Sequence, residues 1–385
     1  MKDNPLLKLE AFGQSIWMDF IQRGMIASGQ LKQLIEEDGL CGVTSNPSIF
    51  EKAIAGSHDY DDAIRALALE GKSVDQIYDA LTVEDIQRVA DLFRPVYDRL
   101  DGKDGFVSLE VSPRLAHDTA GTIADARRLW VAVNRPNVMI KVPGTLEGLP
   151  AIQQLIGEGI NINITLLFGL PRYRQVAEAY LAGLETLTAQ GKPLNSVASV
   201  ASFFLSRIDV LLDPMLEKLM ATDKSKTDIA KTFHGQVAIF SAKAAYQIYQ
   251  EIFANERFGK LKAQGARTQR LLWASTSTKN PAYSDLKYVE ALIGTETIDT
   301  IPLETLAAYR EHGKPAARLS NDAEQASKTL LRLGEVGIDL DMATQRLEDE
   351  GVQKFIKAFD VLMNTLKEKQ SQTTLSRPQI EPTGK

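Results

Sequence analysis

A lysine flanked by Ile140 and Val142 and followed by Pro143 occupies a short apolar stretch where an ammonium group is out of place. Ionisable side chains are rarely buried unless they are paired or functional. An amine freed of its proton by desolvation or neighbouring charge is a nucleophile toward carbonyl carbon. Cleaving a carbon–carbon bond beside that carbonyl needs an electron sink, which an iminium or a bound metal can supply. The four histidines, His58, His117, His234 and His312, make no HxxxH or HxH pair, so a metal is poorly provided for. Two carboxylic acids, Asp19 and Glu110, could do general acid–base work, and Asn46, Asn163, Thr165 and Ser202 suit a polyhydroxylated substrate. Seen from strand position alone, Lys141 could equally be the cationic half of a structural ion pair with Asp19 or Glu110.

These residues share a setting. Eight β-like runs, at 15–20, 42–46, 106–111, 138–142, 160–167, 197–204, 270–275 and 297–302, alternate with longer amphipathic stretches such as 149–158 and 173–187. Strands that alternate with helices pair in parallel, and eight such units point to an α/β fold, a closed (β/α)8 TIM barrel. An open doubly wound sheet is the competitor, but no glycine-rich phosphate turn occurs. Within the runs one face is apolar: Ile16, Met18 and Phe20; Val107, Leu109 and Val111; Val138, Ile140 and Val142; Ile160, Ile162 and Ile164. Side chains alternate faces along a strand, so if the aliphatic face meets the surrounding helices, Asp19, Asn46, Glu110, Lys141, Asn163, Thr165 and Ser202 point into the barrel. They fall late in their strands, at the end where barrel enzymes hold their active sites. A solvated sheet face is the alternative, although alternating β/α chains normally cover both faces.

The rest of the chain sets limits. Of 385 residues, 44% are hydrophobic and 24% charged, which is ordinary for a globular protein, and a net charge of −6 argues against a nucleic-acid surface. No apolar run approaches the ~20 residues of a membrane span and no secretory leader is evident, so the expected compartment is cytoplasmic. The single cysteine, Cys41, reads as a small buried residue, and Trp17, Trp130 and Trp273 as core. Gly71-Lys72-Ser73 lacks the earlier glycine of a phosphate-binding loop, Ala66 standing there, and Asn163-Ile164-Thr165 is an incidental glycosylation match inside an apolar strand. Two connections, 51–100 and 213–265, are too long for single crossovers and read as helical insertions; the second shows helical periodicity through Phe233, Val237, Ala244 and Ile248. Residues 324–366 read as a helical terminal segment. The expected organisation is a single domain over 1–370 and a disordered polar tail over 371–385.

With these stretches in hand, the chain resembles the transaldolases in their longer bacterial form, over roughly residues 5–368. The resemblance rests on Trp17-Met18-Asp19, Gly42-Val43-Thr44-Ser45-Asn46-Pro47-Ser48, Ser108-Leu109-Glu110-Val111-Ser112-Pro113, Ile140-Lys141-Val142-Pro143-Gly144-Thr145, Asn163-Ile164-Thr165-Leu166-Leu167-Phe168 and the run from Ala201 to Asp209. It implies that Lys141 forms a Schiff base, that Asp19 takes the C4 hydroxyl proton, and that Glu110 with Thr165 holds a water for the imine steps. It implies that Asn46, Asn163 and Ser202 bind the dihydroxyacetone fragment, that Phe204 lines the site and that Arg207 binds the phosphate. Transaldolases often set a serine and an arginine after the seventh strand; here Ser275 fits, and the second cation would be Lys279. The implied reaction moves a dihydroxyacetone unit reversibly from sedoheptulose 7-phosphate to glyceraldehyde 3-phosphate, giving erythrose 4-phosphate and fructose 6-phosphate, with no cofactor or metal. Partners are then small sugar phosphates, with monomer and homodimer both open. The related fructose-6-phosphate aldolases are shorter and carry glutamine at the position of Glu110 and tyrosine at that of Phe204. A non-catalytic sugar-phosphate-binding barrel is the rival from another class, and it would not need Lys141, Asp19 and Glu110 together.

Overall fold

The computed structural model describes residues 4–375. Eight parallel strands close on themselves in chain order: β1 (Gln14–Met18), β2 (Gly42–Val43), β3 (Phe106–Glu110), β4 (Val138–Pro143), β5 (Ile162–Leu167), β6 (Ser199–Phe204), β7 (Arg270–Ala274) and β8 (Thr297–Ile301), with β8 returning to β1. Each expected run holds a strand, most within two residues of its expected limits. The second is shorter, because Asn46 leaves the sheet to start the helix Pro47–Ala55.

The face assignment follows the alternation. Ile16, Val43, Val107, Leu109, Val138, Ile140, Val142, Ile162 and Ile164 are buried against the helical ring, each contributing roughly 1.5–3 kcal/mol relative to exposure. The floor of the barrel is closed by Trp17, whose indole donates to Asp104 at 2.6 Å while Arg270 bonds Asp104 at 2.9 Å and Ser15 at 2.7 Å. Gly42 is required beside it, since a Cβ there would lie 2.6 Å from the Trp17 ring and 2.8 Å from the Phe106 carbonyl. A cleft of about 890 Å³ opens on this N-terminal face, remote from the polar cluster. Trp273 is fully buried, whereas Trp130 is half-buried on the helix Thr119–Val133. Cys41 is half-buried rather than buried; its thiol donates to the Gly39 carbonyl, and burial pushes its pKa far up.

The stretch 51–100 holds the helices Asp61–Leu69 and Val74–Arg99, the second being the crossover from β2 to β3. The stretch 213–265 is interrupted where the periodicity predicted continuity. Thr227–Phe233 and Val237–Phe253 are separate helices, because Gly235 adopts φ 65° and gives its N–H to the buried Asp213 carboxylate at 2.7 Å. The terminal helix, Leu340–Leu375, runs nine residues past its expected end at Leu366 and takes in 371–375, which the sequence assigns to a disordered tail; the remainder of the tail, 376–385, lies outside the described residues. Among the described residues no helix is long and apolar enough to cross a membrane.

Candidate active site

Strand register assembles the polar cluster. Glu110 on β3 pairs with Lys141 on β4, and Lys141 with Asn163 on β5, so three inward side chains stand abreast. Lys141 Nζ donates to the Ser45 carbonyl at 2.8 Å and lies 3.2 Å from Glu110 Oε2, with both residues at least 95% buried. That separation is an ion-pair contact, yet neither Glu110 oxygen has a well-directed hydrogen bond, and Thr165 Oγ1, two residues beyond Asn163 on β5, is also buried without a partner. Burial pushes the Glu110 carboxyl above its usual range, against the opposing pull of Lys141. Asp19, at the end of β1, is shifted the same way by burial, opposed by the charge of Lys141 and the Thr44 hydroxyl. The arrangement provides an amine and two acids inclined to hold protons, inside a low-dielectric barrel.

Hydroxyl and amide groups form the adjoining wall. Ser202 Oγ donates to Asn163 Oδ1 at 2.7 Å, Asn163 Nδ2 donates to Ser108 Oγ at 3.0 Å, and Ser45 Oγ donates to the Ser108 carbonyl at 2.7 Å. Asn46 caps the helix Pro47–Ala55, its Oδ1 accepting from Ile49 N at 3.0 Å, which leaves its amide Nδ2 free of that role. Sequence reasoning gave no role to Thr44, Ser45, Ser108 or Thr300. Thr44 Oγ1 donates to Asp19 Oδ1 at 2.7 Å and lies 2.7 Å from Thr300 Oγ1. Inward alternation could have found Ser108, two residues before Glu110, and Thr300 on β8.

A second cluster lies on the β6–β7 side. Arg207 is the second residue of the helix Ser206–Thr222; its Nη1 is buried without a partner, and its guanidinium stands 5.6 Å over the Phe204 ring. Phe204 leans on Phe168 at 5.2 Å. Ser275, in left-handed backbone at φ 56°, brings its hydroxyl within 3.0 Å of Ser206 Oγ, and Ser206 N donates to its carbonyl. Lys279 is exposed and donates to Ser277 Oγ at 2.5 Å; burial lowers its pKa, with Arg207 and Lys52 adding to the effect against Glu304 and Asp19. Lys52, on the helix that Asn46 caps, is thus a further cation near this cluster that the motifs did not single out.

The terminal helix crosses this side of the mouth. A Cβ on Gly351 would sit 2.9 Å from Leu166 Cδ2 and 3.7 Å from Arg207 Nη1, and Arg172 pins the helix through Glu348 at 3.1 Å. Leu166 itself follows Thr165 in left-handed backbone, φ 58°, where the β5–β6 ladder slips register. Such a bulge re-aims neighbouring side chains at strand ends. All four histidines instead lie within hydrogen-bond distance of carboxylates elsewhere: His58 of Asp61, His117 of Glu147, His234 of Glu217 and His312 of Asp285.

A closed parallel (β/α)8 barrel that gathers buried polar and ionisable side chains at the C-terminal strand ends has the architecture of a barrel enzyme. Residues 16–366 match the protein-family model described as Transaldolase/Fructose-6-phosphate aldolase. The chain is 46% identical over 378 residues to a protein named Transaldolase from Trichodesmium erythraeum, covering 97% of this chain and 100% of that one. It is 47% identical over 376 residues to Transaldolase 2 of Nostoc punctiforme, covering 96% and 98%, and 46% identical over 361 residues to Transaldolase of Saccharopolyspora erythraea, covering 94% and 96%. The chain belongs to the transaldolase/fructose-6-phosphate aldolase family, and it is an enzyme.

Proposed function

We propose that this enzyme is a transaldolase that carries a dihydroxyacetone unit between sugar phosphates as a Schiff base on Lys141. The observation that carries the reading is the 3.2 Å contact between Lys141 Nζ and Glu110 Oε2 within a fully inward-facing cluster. Glu110, raised by burial, takes the ammonium proton and leaves a neutral amine to attack the ketose C2. The carbinolamine loses water to give the iminium, with Glu110 and Thr165 handling the water through their unpartnered oxygens. Asp19 removes the C4 hydroxyl proton; the C3–C4 pair moves into the iminium, the aldose leaves, and an enamine remains. Attack of the enamine on the acceptor aldehyde, with the proton returned from Asp19, and hydrolysis of the new iminium complete the transfer. Asn46, Asn163 and Ser202 hold the three-carbon fragment, Phe204 lines its path, and Arg207, Ser275 and Lys279 take the phosphate.

Donor and acceptor are then sedoheptulose 7-phosphate and glyceraldehyde 3-phosphate, in the non-oxidative pentose phosphate interconversions. Family membership, the single cysteine and the lack of a membrane-spanning helix among the described residues support a cytoplasmic setting. Borohydride reduction with fructose 6-phosphate, followed by peptide mapping, tests the chemistry: a three-carbon adduct on Lys141 is expected. An adduct on another lysine refutes the mechanism. Failure to make sedoheptulose 7-phosphate from fructose 6-phosphate and erythrose 4-phosphate refutes the transfer.

A further inference from the structure

Two acids that the proposed chemistry does not use, Asp209 and Asp213, are buried on the helix Ser206–Thr222, which carries Arg207. They are one turn apart and so face the same side of it. Asp213 Oδ1 accepts from Gly235 N at 2.7 Å, and its Oδ2 accepts from the Tyr283 hydroxyl at 2.7 Å. Asp209 Oδ1 accepts from Ala238 N at 2.8 Å, and its Oδ2 accepts from the Tyr288 hydroxyl at 2.8 Å and from Lys287 Nζ at 3.2 Å. Through one oxygen each acid holds backbone at the turn near Gly235, and through the other it holds the segment that follows β7. Lys287 Nζ also lies 3.5 Å from the centre of the Tyr283 ring. A Cβ on Gly235 would come within 2.6 Å of Tyr283 Oη and 3.0 Å of Lys287 Nζ, so the turn and the segment meet with no spare room.

That segment begins with the residues proposed to meet the phosphate. Ser275 lies against Ser206, their hydroxyls 3.0 Å apart and Ser206 N donating to the Ser275 carbonyl at 3.0 Å, and Thr276 Oγ1 reaches the Thr300 carbonyl at 3.4 Å. From 277 to 282 the hydrogen bonds stay within the loop: Lys279 Nζ donates to Ser277 Oγ at 2.5 Å, Ala282 N to Asn280 Oδ1 at 2.9 Å and Tyr283 N to the Asn280 carbonyl at 3.1 Å. The last of these closes a turn, which makes Tyr283 the first fixed point after Lys279. A partly exposed stretch with no outward bond of its own is held by its ends. Its near end is tied to Ser206 and its far end to Asp213, both on the helix that carries Arg207. We infer that Asp213 and Tyr283 are positioning residues, whose hydrogen bond fixes the far end of the 275–283 loop to that helix and so sets Lys279 against Arg207 across the substrate phosphate. The inference rests on the proposed transaldolase reading for its substrate. Phenylalanine at 283 keeps the ring beneath Lys287 and loses only the hydroxyl, so it frees the loop without emptying the core.

The test compares the wild type, Tyr283→Phe, Asp213→Leu and the double variant. With erythrose 4-phosphate as acceptor, Tyr283→Phe should raise KM for fructose 6-phosphate about fivefold and change kcat less than about twofold. Its affinity for inorganic phosphate, read by titration calorimetry at fixed ionic strength, should fall by the same factor. Borohydride trapping of dihydroxyacetone, which carries no phosphate, should keep the wild-type rate. Because either substitution breaks the same bond, the double variant should show the KM of Asp213→Leu alone. Unchanged KM and phosphate affinity in Tyr283→Phe, even with a lowered Tm, would make the bond purely structural and overturn the inference. So would a kcat loss at unchanged KM, an equal loss of dihydroxyacetone trapping, effects that multiply in the double variant, or a wild type that binds no phosphate. Tyr283→Phe decides the question by itself if Asp213→Leu, which also strips Gly235 N of its acceptor, does not fold. A wild type that transfers no dihydroxyacetone unit but binds phosphate, with that binding weakened in Tyr283→Phe, would refute the transaldolase reading and leave the positioning role standing.

Discussion

Removing either half of the Lys141–Glu110 pair should be costly, and removing both should not. The charges stand 3.2 Å apart and both residues are at least 95% buried. At an effective dielectric of about 20 that separation corresponds to roughly 5 kcal/mol of attraction. Lys141→Met leaves Glu110 facing Asp19 without its cation, and both acids are already disfavoured as anions by burial. Glu110→Gln leaves an ammonium whose remaining hydrogen bond is to the Ser45 carbonyl at 2.8 Å. Each single change should cost about 3–5 kcal/mol, and Lys141→Met/Glu110→Gln distinctly less than their sum. Urea unfolding at neutral pH of the four proteins gives the coupling energy directly; a value of about 2–4 kcal/mol is expected. A coupling below about 0.5 kcal/mol would falsify the claim that the two charges sense each other inside the barrel. Activity separates structure from chemistry in the same set: the methionine variants should make no borohydride-trapped adduct, whereas Glu110→Gln should trap slowly. Full trapping rates in Glu110→Gln would reduce Glu110 to a structural counter-ion.

Two further substitutions probe the phosphate side. Arg207→Lys keeps the charge but loses the planar fork, so KM for fructose 6-phosphate should rise about tenfold while unphosphorylated fructose is handled as before; an equal effect on both sugars would remove Arg207 from the phosphate site. Gly351→Ala places a methyl 2.9 Å from Leu166; overpacking of about 1–3 kcal/mol should outweigh alanine's helix preference of about 1 kcal/mol and lower Tm by a few degrees. A raised Tm would mean that the Leu166 side chain or the terminal helix yields to the methyl at little cost.

The sequence made the barrel and its polar interior legible because a period of two is unambiguous when one face is wholly aliphatic, as in Val138, Ile140 and Val142 around Lys141. Residues whose role depends on tertiary approach were not legible in this way. Asn46 read as an inward strand residue, whereas its φ of −157° and its bond to Ile49 make it a helix cap at the edge of the site. Gly235 broke a helical period that continued on both sides, because a buried aspartate 22 residues earlier takes its N–H. Leu166 carries no sequence signal for left-handed backbone, and only the slipped β5–β6 register shows it. The terminal helix read as helix but not as a cover: a glycine in mid-helix reveals close approach only when Leu166 is found beneath it.

Which polar atoms the protein satisfies, and which it leaves bare, argues more about the substrate than the residue types do. Ser202, Asn163, Ser108 and Ser45 bond one another in a chain, so their wall is pre-formed and rigid before anything binds. Thr165 Oγ1 and Arg207 Nη1 are buried without a hydrogen-bond partner, and Glu110 has only its ion contact with Lys141, a state that costs stability unless another molecule completes it. The two bare regions differ in kind. One is an acid and a hydroxyl beside an amine, fit for a carbonyl and the water it exchanges. The other is a guanidinium donor beside Ser275 and Lys279, fit for an anion. On the proposed reading, the ligand that relieves both is a ketose phosphate, with its carbonyl toward Lys141, its hydroxyls toward Asn163 and Ser202, and its phosphate toward Arg207.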